Sequence, residues 1–179
     1  MTRRFEMRLA GTGGQGAILA GIILADAAIR EGKMVVQTQS YGPEARGGAS
    51  RSEIVISEDE IDYPKVLAPD VTLCMSQEAS DRYGGQTRPG GLLIIDSDHV
   101  SRAPTTQAVR VPLTSVARDV TGRAIAANVV GLGVLAGLTG IVSRESLEQA
   151  VEARVPAGTG DLNLQALAAG YEEAREIKG

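Results

Sequence analysis

Six residues near the start, Gly11-Thr12-Gly13-Gly14-Gln15-Gly16, limit what this chain can fold into more than any other feature. They follow residues 5–10, a short run that suits a strand. They precede residues 17–31, where Ile18, Gly21, Ile22, Ala25 and Ile29 recur at spacings of three and four. The other face of that stretch is rich in alanine and carries Asp26 and Arg30, so the predicted helix lies on a sheet. Gly32 suits its C-terminus, and residues 34–39 read as a second strand. Strand, glycine turn, helix and strand make a βαβ unit, for which a right-handed crossover is expected. In that context G-x-G-x-x-G is suited to anion capture. Glycines let the backbone turn tightly and approach a phosphate, and the first N–H groups of the helix lie unpaired at the positive end of its dipole. The same residues also fit a tight turn that binds nothing.

A second glycine-rich segment, residues 40–49, leaves the end of the second predicted strand and suits neither a helix nor a strand throughout. In a doubly wound sheet it emerges at the same edge as the first loop, so that two loops flank one crevice. Arg46 within it could pair with a phosphate or carboxylate, while Glu44 and Arg51 could instead anchor the loop internally. Residues 50–57 alternate, with Ser52, Ile54 and Ile56 on one side, and are expected to form a half-exposed strand. Residues 71–75 and 91–96 read as buried strands, residues 108–112 as a further one, and residues 77–83 as a short helix. The final third is helical over 114–120, 124–138, 144–153 and 162–176, with Ser143 a candidate N-cap and Gly140 a candidate stop. The expectation is one α/β domain over residues 1–179: an open, doubly wound, mostly parallel, Rossmann-like sheet with helices on both faces.

Composition narrows the chemistry. Aromatic residues are only 3% of the chain, so Ala, Val, Ile and Leu must fill the core. A net charge of −4 argues against a dedicated nucleic-acid binder, whose phosphate contacts need a basic surface. One Cys and one His exclude a disulfide framework, a cluster ligated by cysteines of this chain alone, and a zinc site made only from protein side chains. The start lacks the long apolar core of a signal peptide, and a cytoplasmic location is expected. Residues 124–142 carry no charge and have the length of a membrane span. They contain four glycines together with Asn128 and Thr139, which favours a helix buried in the protein or against another subunit.

Other candidates for chemistry are plain. A dinucleotide site calls for an acidic residue at the end of the second strand, where Gln37, Gln39 and Ser40 stand, and Glu31 lies at the wrong end. Cys74 reads as a small buried hydrophobe, and His99 has no nucleophile beside it in the sequence. Asn128, in an apolar helix, needs a hydrogen-bond partner if buried.

Taken together, the two glycine segments, Gly11-Thr12-Gly13-Gly14-Gln15-Gly16 and Ser40-Tyr41-Gly42-Pro43-Glu44-Ala45-Arg46-Gly47-Gly48-Ala49, resemble those of the gamma subunit of 2-oxoacid:ferredoxin oxidoreductases. Residues 53–57, Ile61-Asp62-Tyr63-Pro64 and Pro69-Asp70 fit the same pattern. The second segment is most similar to the 2-oxoglutarate branch, with the pyruvate and branched-chain enzymes still open. This resemblance implies a subunit without catalytic or metal-ligating residues of its own. The assembly would oxidatively decarboxylate a 2-oxoacid with coenzyme A, giving an acyl-CoA and carbon dioxide and passing electrons to ferredoxin. Alpha and beta subunits, in some assemblies also delta, would hold thiamine diphosphate, magnesium and iron–sulfur clusters. By the same resemblance Gly11, Thr12, Gly13, Gly14 and Gly16, with Gln15 in the same loop, are assigned to coenzyme A phosphates, with Tyr41 and Arg46 as further candidates. Alternatives are a stand-alone nucleotide-binding module or regulator and, less consistent with the residues, a nicotinamide-dependent dehydrogenase.

Overall fold

The computed structural model describes residues 3–41 and 48–179. Six strands form one sheet: β1 (Phe5–Thr12), β2 (Met34–Ser40), β3 (Ala49–Ser57), β4 (Val71–Cys74), β5 (Leu92–Asp96) and β6 (Val109–Val111). Their order is β2-β3-β1-β4-β5-β6. β1, β4, β5 and β6 pair in parallel, and β3 runs antiparallel to both β1 and β2. The expected βαβ unit is therefore split. The helix α1 (Ala17–Arg30) carries the chain from β1 to β2, and β3 turns back to fill the gap between them.

That insertion reverses one expectation about exposure. β3 is central rather than half-exposed, and most of its residues are buried, whereas β2 forms the open edge. Arg51, Ser52 and Glu53 of β3 tolerate this because each has a partner. Arg8 of β1, itself 4% exposed, places Nε 2.9 Å from Glu53 and donates to Gln86 Oε1 at 2.6 Å. Arg51 lies 3.4 Å from the same carboxylate. Both guanidinium groups stand 5.3 Å from the ring centre of Tyr83, a separation at which a cation and an aromatic face attract. Ser52, on the opposite face, accepts from Gln37 Nε2 at 2.9 Å.

Helices cover the two faces unequally. On one side α1 and α4 (Ala127–Thr139) lie on the sheet, backed by α3 (Leu113–Thr121), α5 (Arg144–Arg154) and α6 (Gly160–Lys178). On the other lies the short α2 (Gln77–Tyr83), whose Ala79 and Tyr83 pack with Ala10, Cys74, Leu93 and Ile95. The uncharged stretch is a 3-10 turn (Ala124–Ala126) followed by α4, in which every residue from Ala127 to Ala136 is buried. It is internal. One side of α4 meets the sheet, where Leu73 lies against Gly131, and another meets α6 at Gly133 and Gly170. Among the described residues no helix is long and apolar enough to cross a membrane. Ser143 caps α5 by accepting from Ser146 N–H at 3.1 Å, and Gly140, at φ 63°, ends α4; both follow the sequence reading.

Candidate functional site

β1 and β4 lie side by side, and the chain leaves their carboxyl ends toward opposite faces, to α1 from one and to α2 from the other. This is a topological switch point, the place in an open α/β sheet where loops part and leave a crevice. The first glycine segment sits at this point.

Within the segment the residues have distinct tasks. Gly11 is the penultimate residue of β1, and a Cβ there would meet Gln15 Oε1 at 2.6 Å. Its lack of a side chain makes room for the Gln15 carboxamide, which accepts from Thr12 N–H at 2.7 Å and donates to Met75 C=O at 2.8 Å. Met75 N–H in turn donates to Ala10 C=O at 2.9 Å. Gln15 thus stitches the end of β1 to the end of β4. This corrects the uniform assignment of all six residues to a ligand. The Thr12 N–H and both polar atoms of the Gln15 side chain are already occupied, and Gly11 serves the brace.

Apart from that of Gln15, which donates to Thr12 C=O at 3.2 Å, the N–H groups that follow are open. Those of Gly13, Gly14, Gly16, Ala17 and Ile18 donate to no group among the described residues, and the first α1 bond runs from Ala20 N–H to Gly16 C=O at 3.0 Å. Gly14 and Gly16 have φ of 87° and 79°, which side-chain-bearing residues rarely adopt. A Cβ at Gly16 would also collide with the Asn128 carboxamide. Asn128 donates to Gly16 C=O at 3.1 Å, and its own oxygen accepts from Val129 N–H at 2.9 Å. The lone polar residue of the apolar helix therefore ties the start of α4 to the glycine loop. A Cβ at Gly13 would meet none of the described residues within 4 Å, so that side of the loop is open among them.

Two clefts flank the loop. One, of about 360 Å³, runs between Gly14, Gly16 and Leu19, the 3-10 turn at Ile125 and Ala126, and the start of α6 at Leu162 and Asn163. The second, of about 330 Å³, lies beside Gly14, Gln15, Met75 and His99. Gly14 and Ile125 line both. No periodic or motif signal marks Arg123 or Ile125, which line the cleft because the 3-10 turn and the residue before it lie beside the loop.

Other candidates fall elsewhere. Tyr41 is exposed at the end of β2, two strands and therefore about 10 Å across the sheet from β1. Arg46 and Glu44 lie outside the described residues. Arg51 is held by Glu53 and Tyr83, so it braces the start of β3. His99 is exposed, and its N–H donates to Asp96 C=O at 3.0 Å. Cys74 is buried, and burial pushes its thiol up to about 12 against a smaller lowering by Arg8. It is a core residue, unsuited to nucleophilic chemistry.

Comparison with known proteins points in one direction. Residues 6–173 match the family described as pyruvate ferredoxin/flavodoxin oxidoreductase. The chain is 50% identical to the 2-oxoglutarate synthase subunit KorC of Methanocaldococcus jannaschii over 179 residues, spanning 97% of this chain and 96% of that protein. It is 38% identical to the ketoisovalerate oxidoreductase subunit VorA of Methanothermobacter thermautotrophicus, spanning 96% of this chain but 36% of the relative. Among solved structures, it resembles the gamma subunit of a keto/oxoacid ferredoxin oxidoreductase from Geobacter sulfurreducens, with a TM-score of 0.87, 44% identity and coverage of 97% and 98% of the two chains. The 2-oxoglutarate:ferredoxin oxidoreductase of Magnetococcus marinus shares the fold, with a TM-score of 0.85 at 22% identity over 97% of this chain and 31% of that one.

Proposed function

This chain belongs to the pyruvate ferredoxin/flavodoxin oxidoreductase family, and on that premise we propose that it is the gamma subunit of a 2-oxoglutarate:ferredoxin oxidoreductase whose glycine loop holds coenzyme A. The near full-length likeness to subunits named for 2-oxoglutarate synthase supports the substrate class. The overall reaction converts a 2-oxoacid and coenzyme A to an acyl-CoA and carbon dioxide, with two electrons passing to ferredoxin. Thiamine diphosphate with magnesium and the iron–sulfur clusters belong to the alpha and beta subunits, with delta where present. The only cysteine here is buried in β4 and gives no set of cluster ligands.

One observation carries the role of the loop. Among the described residues the N–H groups of Gly13, Gly14, Gly16, Ala17 and Ile18 are unpaired and a Cβ at Gly13 would meet nothing, so a phosphate oxygen can approach the backbone there. Coenzyme A fits such a cradle through its pyrophosphate. Gln15 and Asn128 act indirectly, by fixing the loop between β4 and α4. Tyr41 and Arg46 extend the assignment to the second glycine segment as secondary candidates.

The purified chain is expected to be inert, and 2-oxoglutarate-dependent viologen reduction to appear when alpha and beta subunits are added. Gly13→Val fits the fold, since its side chain enters open space, and should raise the KM for coenzyme A at least tenfold in the assembled enzyme. Full activity of the partners without this chain would refute the subunit role. An unchanged KM in Gly13→Val would refute the loop assignment.

A further inference from the structure

The two edges of the sheet are built differently. β6 is three residues long, carries Arg110 at its centre and is followed by Pro112. Short length, charge and proline are features that keep an edge strand from pairing with another chain. β2 has none of them. Its seven residues, Met34–Ser40, include no charge and no proline, and its ladder with β3 runs from Met34 opposite Ser57 to Ser40 opposite Arg51 without a bulge. Among the described residues no strand pairs with its outer side. The flank of α1 above that edge is apolar as well. At 3.6 residues per turn, Ile18, Ile22 and Ile29 fall within about 40° of one another, and none of the three belongs to the core. Ile29 is 57% exposed. On the opposite flank Ala20, Ile23 and Ala27 are fully buried toward the body of the protein, so the isoleucines overhang β2.

We infer that two copies of this chain join edge to edge through β2, about a two-fold axis at Gln37, and so continue one sheet across both. An axis normal to the sheet runs the two β2 strands antiparallel and keeps both α1 helices on the same face. Centred on Gln37, the register pairs all seven residues, with Met34 opposite Ser40 and Val36 opposite Thr38, and sets no charge of one strand against a charge of the other. The spacing agrees. Strands lie about 4.8 Å apart, so the two-fold passes about 2.4 Å from β2 and about 7.2 Å from β3. Because α1 rests on both strands, its axis stands about 5 Å from the two-fold and about 10 Å from that of its copy. Helices pack at about 8–10 Å. The heights agree too, since a Cβ at Gly21 would meet Ser52 and Ile54, the partners of Gln39 and Gln37, which places Ile22 beside the axis. The two helices run antiparallel, so the positive end of each adjoins the negative end of the other. The joined face is about 24 Å long and about 15 Å high, one strand layer and one helix. That area lies at the small end of specific interfaces, so the expected dimer dissociates in the micromolar range. The pairing is independent of what the glycine loop binds.

Sedimentation equilibrium of the full chain from about 1 to about 200 µM should show the average mass rising from one chain toward two. Ile22→Glu and Ile22→Lys each replace two buried isoleucines with like charges across the axis, and each should weaken association at least about 100-fold. An equimolar mixture of the two variants should recover the dimer, which neither a misfolded chain nor a partner of different sequence can produce. Gln37→Cys sets two cysteine Cα atoms about 4.5–5.5 Å apart at the axis, within the span of a disulfide. It should cross-link under mild oxidation, in the isolated chain and in the assembled enzyme alike. Cys74 is buried and does not compete. Ile29→Cys, at the far end of the flank, should stay unlinked. A chain that remains monomeric over the whole range overturns the pairing, as do Ile22 variants that associate like wild type or a mixture that stays monomeric. Equal cross-linking at positions 29 and 37, or none at 37 in the assembled enzyme, overturns it as well.

Discussion

Replacing Gly170 with alanine probes the packing that holds the back of the site in position. A Cβ at Gly170 would collide with Val130 C=O of α4 and stand 2.9 Å from Gly133 Cα and 3.0 Å from Val130 C. Carbon atoms prefer about 3.5–4.0 Å, so α4 and α6 must part by roughly 0.5–1 Å, enough to forfeit a quarter to a half of each contact's dispersion energy. Neither helix can yield freely, since α4 is buried from Ala127 to Ala136 and also rests on Leu73. Overpacking of this kind costs about 1–3 kcal/mol, while alanine returns about 0.5–1 kcal/mol of helix preference. The expected net loss is about 1–2 kcal/mol, or roughly 2–8 °C in Tm for a domain of this size. Gly160→Ala is the control, because a Cβ at this first residue of α6 meets nothing within 4 Å. Urea unfolding of the isolated chain followed by circular dichroism gives both values. A Gly170→Ala chain as stable as wild type, or as Gly160→Ala, would refute the argument that backbone contact fixes this helix pair.

Gln15→Glu keeps an acceptor for Thr12 N–H but sets a carboxylate oxygen against Met75 C=O, so the expected loss is about 1–3 kcal/mol, together with weaker coenzyme A binding from the added charge. Unaltered stability and KM would show that the bridge is incidental. Burial pushes the Glu31 carboxyl up, but hydrogen bonds from Ser143 N–H at 2.6 Å and from Lys33 outweigh it and hold the group at about 2, below its ordinary 4.5. Because the folded value is depressed, the stabilisation is full above about pH 4.5 and is lost as pH falls toward 2. Glu31→Gln should therefore be less stable than wild type at neutral pH, with the gap closing across that window. A gap that stays constant down to pH 2 would count against the pairing.

The sequence by itself determined the local elements and the place of the glycine turn between strand and helix. The strand, glycine turn and helix at the start, the helical final third and the buried character of the uncharged segment, inside the protein or against another subunit, follow from periodicity and from glycine placement, which act over a few residues. Tertiary structure alone decided the rest, because the deciding contacts join residues far apart in the chain. Whether β3 lies beside β1 depends on a ladder between residues some 40 positions apart, such as Ala10 and Arg51, and short-range alternation carries no record of it. The alternation of β3 read as half-exposed, yet its polar face is partly covered by Arg8 and Tyr83, which only the folded sheet brings together. Likewise Gln15 looked like one more residue of a phosphate loop until Met75 was brought beside it, and Asn128 found Gly16 across 112 positions. A motif specifies which backbone groups can face a ligand. Which of them remain free is settled by what the rest of the chain packs against them.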